Sequence, residues 1–249
     1  GVGIARMEDR YFQTNIIDFS ETKHDKSTYS IFGGSIVLEG STLNARQFAT
    51  QGSREKMAAQ IFTGTEHFRS GASKVTKDTP EPYKKVQSWL QVSYQNETYH
   101  KVSPKFTLGA YLEAYYSSRN FSNNYTATLM QAGEFTPTAH SKVTYNEAFR
   151  ANQYAGVGAM PIYQLSESFQ LRGEFYGFVP IFPIKKDEYG QAYYGKAFTK
   201  FEYLGEISLV FQLSFGSISA YVNHYSSPSN DWNVGLTLGW QLFNSRFVE

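Results

Sequence analysis

The stretch DWNVGLTLGWQLF, Asp231–Phe243, decides how the rest of the chain is read. In steps of two, Val234, Leu236, Leu238, Trp240 and Leu242 share one face, and Asn233, Gly235, Thr237, Gly239 and Gln241 share the other. Strict period-two alternation marks a strand with one apolar and one polar face. At thirteen residues the stretch is longer than the usual soluble strand of about five or six. It is long enough for a tilted strand crossing a bilayer, which needs roughly 9–11 residues.

Working outward, the pattern recurs. Residues 1–12 form a poorly patterned strand, and Tyr29–Glu39 places Phe32, Gly34, Ile36 and Leu38 on one face. Ser53–His67 and Val86–Tyr94 follow, and then Lys105–Tyr116, where Phe106, Leu108 and Leu112 oppose Thr107, Tyr111 and Glu113. Tyr154–Tyr163, Phe169–Val179, Lys200–Ser214 and Ser217–Tyr225 complete a set of about ten antiparallel strands. The stretches between them alternate in length. Tight connections fall near Val102–Pro104, Leu165–Ser168 and Gly216, and long ones at Gln13–Ser27, Arg69–Pro82, Ser117–Ala151 and Pro180–Phe198. Short turns at one end and long loops at the other are the asymmetry of outer-membrane barrels. Two connections depart from it: Ser226–Asn230 is short on the long side, and Gly40–Gly52 is somewhat long on the short side.

Composition fits an all-β chain that alternates between two environments. Of 249 residues, 19 are Tyr and 20 Phe, types that favour pleated, half-buried surfaces. Mean hydropathy is −0.43, which a barrel tolerates because every second strand residue faces its interior. A net charge of +1 gives no reason to expect a nucleic-acid partner. The absence of cysteine excludes disulfide and thiolate chemistry. Gly1-Val2-Gly3 lacks the basic start and apolar stretch of a signal peptide, as expected of a mature chain or a fragment. Period two alone leaves one alternative open: a soluble lipocalin-like barrel or β-sandwich with the apolar face turned inward.

Catalytic chemistry is hard to place. The five histidines (24, 67, 100, 140 and 224) show no paired spacing for catalysis or metal, and no cofactor is expected. His140, in Thr136-Pro137-Thr138-Ala139-His140-Ser141, is the least dismissible, because its loop can enter a barrel interior. Phe32-Gly33-Gly34-Ser35-Ile36-Val37 has the first Gly and the Ser of a nucleophile elbow but Val where the closing Gly belongs, and it lies mid-strand. The interior-facing set Lys105, Glu113, Arg172, Glu174, Glu202 and Glu206 is mixed in sign. A selective pore favours rings of one sign, so this set points to cross-barrel ion pairs that plug the interior.

Three blocks carry a resemblance. Thr126–Gly156 (TATLMQAGEFTPTAHSKVTYNEAFRANQYAG), Leu43–Gly52 (LNARQFATQG) and the closing Leu238–Asn244 resemble the C-terminal barrel of Bacteroidetes-type patatin-like phospholipases. That barrel belongs to the bacterial surface-antigen superfamily. The order Asn233, Gly235, Leu238, Trp240 also resembles the C-terminal assembly signal of outer-membrane barrels. The resemblance implies a single barrel domain over residues 1–249, the C-terminal part of a barrel of about sixteen strands. It further implies a long loop, 117–151, that enters the lumen with an Arg-Gly-aromatic motif at its tip. Arg150 and Tyr154 stand where that motif belongs, although Ala151 replaces the Gly and Asn152-Gln153 intervene. The family's arginine pairs with an acidic residue of the next inward strand, which makes Glu174 the expected partner, with Glu202 and Glu206 one strand beyond. The implied partners are outer-membrane lipid, the barrel assembly machinery during insertion, and an upstream periplasmic or catalytic domain. The implied function is membrane anchorage or translocation for a lipid acyl hydrolase, with no catalytic site in this chain. A self-contained small barrel acting as pore, adhesin or rim-site enzyme is the alternative.

Overall fold

The computed structural model describes residues 1–12, 24–71, 82–227 and 232–240. In chain order the elements are β1 (Val2–Tyr11), β2 (Asp25–Ser41), β3 (Gly52–Arg69), β4 (Tyr83–Ser103) and β5 (Phe106–Ser117). Next come helix α1 (Tyr125–Gln131), the short β6 (Gly133–Glu134) and β7 (Arg150–Ala151), β8 (Gln153–Gln164) and β9 (Phe169–Pro180). The hairpin β10 (Ile184–Lys186) and β11 (Ala192–Tyr194) precedes β12 (Glu202–Leu213), β13 (Gly216–Tyr225) and β14 (Trp232–Trp240). Ten strands form one antiparallel sheet in the order β1-β2-β3-β4-β5-β8-β9-β12-β13-β14, and β6-β7 and β10-β11 are separate ribbons. Each expected strand falls in this sheet over its described residues (Asp231 and residues 241–243 of the Asp231–Phe243 stretch lie outside them), and β2, β3 and β4 run longer than their alternation alone suggests, at 17, 18 and 21 residues. Among the described residues β1 and β14 are not paired with each other, so the sheet has two free edges.

The two faces of the sheet are chemically opposite. Leu171, Phe175, Ile207 and Leu209 are exposed, whereas their chain neighbours Arg172, Glu174, Glu206 and Ser208 are buried. The registers Glu206↔Glu174 and Ser208↔Arg172 place this polar set on one face of adjacent strands. A soluble sandwich or barrel would invert these assignments.

Sheet curvature follows from what lies on the polar face. The segment between β5 and β8 touches β1 through Gln131 and Asp9 (2.6 Å) and reaches β12 through His140 and Glu206 (2.6 Å). At roughly 4.8 Å per strand, a flat sheet would hold β1 and β12 more than about 30 Å apart. The polar face is therefore concave and the apolar face convex. The core on the concave side is largely aromatic, with Tyr111, Phe135, Phe149, Tyr154, Tyr176, Phe178 and Tyr225 packed with Met160 and Leu204. Filling is uneven: Val37 on β2 and Met7 on β1 belong to the concave row yet remain exposed.

Three features differ from the sequence reading. The stretch read as a plain loop, Ser117–Ala151, is an ordered insertion with a capped helix, two 3-10 turns and a ribbon. Asn124 Oδ1 accepts from Ala127 N and starts the helix, a signal that aromatic and β-branched neighbours mask in a period-based reading. The connection 42–51 is folded onto the concave face, and Asn44 staples it by accepting from Thr50 N (2.9 Å) and Gln51 N (3.1 Å). Lys105 sits exposed in the β4–β5 turn, not in the interior row.

Candidate functional site: the lock on the concave face

The insertion is built in layers. Its first turn leaves β5 at Ser117 and is held by Arg119, whose guanidinium lies 4.6 Å from the Trp89 ring centre and 5.2 Å from that of Tyr29. Arg119 Nη1 also donates to Gln131 Oε1 (2.7 Å), so helix α1 is tied to strands β2 and β4 by one stacked cation. Asn124 Nδ2 donates to Tyr11 OH (3.0 Å), which fixes the helix start against β1.

Arg150 closes the insertion's own base. It pairs with Glu134 (2.8 Å), directly across the β6–β7 ribbon, and its Nη1 donates to Leu129 O and Met130 O (3.3 Å each) at the end of α1. Its guanidinium also lies over Tyr145, 4.5 Å from the ring centre. The expected Arg150–Glu174 pair does not form. Glu174 instead accepts from Arg172 Nε and from Tyr176 OH (3.0 Å), two neighbours on its own strand and face. The physical reason is reach: a ribbon partner opposite Arg150 and two carbonyls at the end of α1 engage the fork before it can cross to β9. Glu202 accepts from Ser226 Oγ and lies 3.3 Å from Lys200. Tyr154 lies in strand β8 on the concave wall, not at a loop tip, and donates to Glu113 Oε1 (2.7 Å) and Glu134 O (3.0 Å).

The tie from the insertion's tip to the far strands is made by His140. Thr138 and Ser141 exchange hydrogen bonds, Ser141 N to Thr138 Oγ1 and Thr138 N to Ser141 Oγ, both 3.0 Å, and this tight turn presents the imidazole. His140 Nδ1 lies 2.6 Å from Glu206 Oε1, with both side chains buried. A carboxylate only accepts, so Nδ1 carries the hydrogen. The imidazole stacks on Tyr221 at 3.6 Å between centres and 14° between planes. Tyr221 in turn lies across Gly235 of β14, where a Cβ would come within 2.6 Å of its ring and hydroxyl. Gly235, expected as part of an assembly signal, therefore provides the slot for the platform beneath His140. Asn233 lies opposite Asn223, whose Nδ2 donates to Glu206 Oε2 (3.4 Å). Leu238 faces the convex side at 66% exposure, and Trp240 closes β14 in register with Gly216.

Aromatic packing adds to the polar lock. Phe135 stacks on Phe178 with 5.5 Å between ring centres, and Phe149 packs against the same ring at a tilt, 5.6 Å away. Gly156 on β8 leaves the space that Phe135 fills, since a Cβ there would lie 2.1 Å from its ring. Burial, with Glu147 nearby, pushes the Tyr125 and Tyr145 phenols of the insertion up to about 12. Both therefore remain protonated donors near neutral pH.

A second clasp holds the opposite end of the concave face. Arg172 on β9 donates to Ala49 O (2.8 Å) and Tyr99 OH (2.5 Å) besides Glu174. Phe48 has a left-handed backbone, φ 54°, and its carbonyl accepts from Gln170 Nε2 (3.3 Å) and Gln212 Nε2 (3.2 Å). Sequence reasoning missed this role of Arg172. The only sequence signal for it was an arginine among glutamates on the interior row.

Chemically, His140 and Glu206 share the imidazole–carboxylate contact that orients the histidine of a catalytic triad. His140 Nε2 is buried and has no hydrogen-bond partner, so the pair has no engaged nucleophile among the described residues. The described residues also contain no group of three or more His, Cys, Asp or Glu suited to a metal ion. The arrangement can hold one structural segment against another. No family model, no curated protein and no solved structure matches this chain.

Proposed function

We propose that the chain forms the wall of a bacterial outer-membrane β-barrel and serves as the anchor or translocation module of a patatin-like surface-antigen protein. The observation that carries this reading is the inversion of the two faces. Isoleucine, leucine and phenylalanine line the exposed convex side, and Arg172, Glu174, Glu202 and Glu206 are buried within. A contiguous apolar surface of this extent marks contact with a partner or a membrane, and strands cross bilayers only when their backbone groups are paired. The edges of β1 and β14, unpaired with each other among the described residues, together with exposed concave residues on β1 and β2, favour completion by further strands over a self-contained ten-stranded pore. Two of the three blocks resembling the patatin-like family, 43–52 and 126–156, coincide with the segments folded onto the concave face, which supports the family reading.

On this view the long loops face outward, the insertion and the 42–51 turn close the interior, and lipid hydrolysis belongs to a separate domain. The test is membrane fractionation of the full-length protein with heat-modifiable gel mobility. Outer-membrane recovery with a heat-dependent mobility shift is expected. A product soluble without detergent overturns the assignment.

A further inference from the structure

On the convex side, β9 and β12 carry a groove of about 940 Å³. Its floor is set by two glycines on adjacent strands, Gly177 and Gly205, and its walls by Phe175, Phe201, Tyr203 and Ile207. Gly177 lies opposite Tyr203, and Gly205 opposite Phe175, so each missing side chain sits beside a large ring. The groove occupies the half of the wall nearest the long connections. Its rim there is amphipathic: Tyr203 stacks with His224 (5.8 Å), and His224 packs against Trp232 (4.8 Å). A phenol, an imidazole and an indole edging an apolar trough suit a ligand with a greasy body and a polar end.

We infer that this groove binds one acyl chain of an outer-leaflet lipid, with the lipid's polar end at the Tyr203–His224–Trp232 rim. This inference rests on the membrane-facing reading above. Backbone pairing excludes a polypeptide strand as the occupant. β9 is paired to β8 and β12, and β12 to β9 and β13, so neither strand bordering the trough has a free edge to add to. Within the trough, between the rim and its far end, an occupant is held by apolar side-chain contact, which is what an alkyl chain offers. The volume falls within the range of about 300–1,000 Å³ common for small-molecule sites.

Trp232, 69% exposed at the rim, reports on occupancy. The experiment uses the full-length protein with every tryptophan except Trp232 replaced by Phe, refolded into vesicles of saturated phosphatidylcholine containing a small fraction of the same lipid brominated on its acyl chain. A specific site quenches Trp232 about threefold more than random lipid contact predicts at that mole fraction. The excess disappears in Gly205→Leu. That change is accommodated, because a Cβ at Gly205 meets Phe175 at an ordinary 3.6 Å. Quenching that is simply proportional to brominated lipid in the unsubstituted groove overturns the site while leaving the membrane reading standing. Failure to insert into vesicles at all overturns both.

Discussion

The turn 42–51 hangs chiefly on the single buried fork of Arg172, whereas the insertion 118–151 is tied at many points to both flanks of the sheet. The turn meets β9 through Ala49 and Phe48, meets β12 through Gln212, which donates to Phe48 O (3.2 Å), and meets β13 where Ser217 donates to Gln47 Oε1 (3.2 Å). The insertion meets β1 through Asn124 and Gln131, β5 and β8 through Tyr154 and Phe135, and β12–β13 through His140. The first arrangement concentrates its stability in one charged group taken out of water. The second distributes it, so that the loss of any one contact leaves most of the rest in place. Concentrated and distributed attachment predict different responses to substitution.

Arg172→Ala should have the largest effect. It leaves Glu174 buried without its cation, a change that costs about 3–5 kcal/mol. Trypsin cleavage at Arg46 should then accelerate sharply while the insertion stays protected. Equal loosening of both segments would break the comparison. Gly156→Leu comes next, because a side chain there collides with Phe135, and overpacking of this kind costs about 1–3 kcal/mol. Hydrogen exchange should rise across 133–151 and not across 42–51.

His140→Ala sharpens the picture of the far contact. Losing the imidazole strips Glu206 of its best donor, at a cost of about 1–2 kcal/mol. Cleavage at Lys142 should increase, with Asn124 and Gln131 still protected. Arg150→Ala should do least, about 1 kcal/mol, since its Glu134 partner is partly exposed. Its effect should stay within α1 and the ribbon. An Arg150→Ala variant that frees the tip more than His140→Ala does would return the lock to Arg150.

Much of the wall was legible in sequence, and Lys200–Ser214 shows why. Its alternation of Tyr203, Ile207 and Leu209 with Glu202, Glu206 and Ser208 encodes strand, register and face together. The lock was only half legible. Glu174, Glu202 and Glu206 were identified on the interior row, because period two assigns them to a face. Their partners were not, because a partner across the concave space depends on where the insertion's turns aim a side chain. His140 was noticed for its loop but not matched to Glu206, and Arg150 was matched to the wrong carboxylate. Nothing in the order of residues states that Glu134, sixteen positions earlier, lies directly across from Arg150. The 42–51 turn reads in sequence only as part of a somewhat long connection, since its fold depends on Asn44 and on a left-handed Phe48, both invisible to periodicity.

The sheet itself is a simple succession of neighbours, interrupted where the insertion stands between β5 and β8 and where the β10–β11 ribbon stands between β9 and β12. Each hairpin of such a sheet can zip from local contacts, which are quick to find. The insertion is different: it touches Asp9 and Tyr11 at one end of the sheet and Glu206 and Tyr221 at the other. Both sets of contacts join residues far apart in the chain, and those with Glu206 and Tyr221 can form only after β12 and β13 are made. Curling of the sheet is thus the late, slow event of assembly, and the insertion acts as the mandrel on which it is wound.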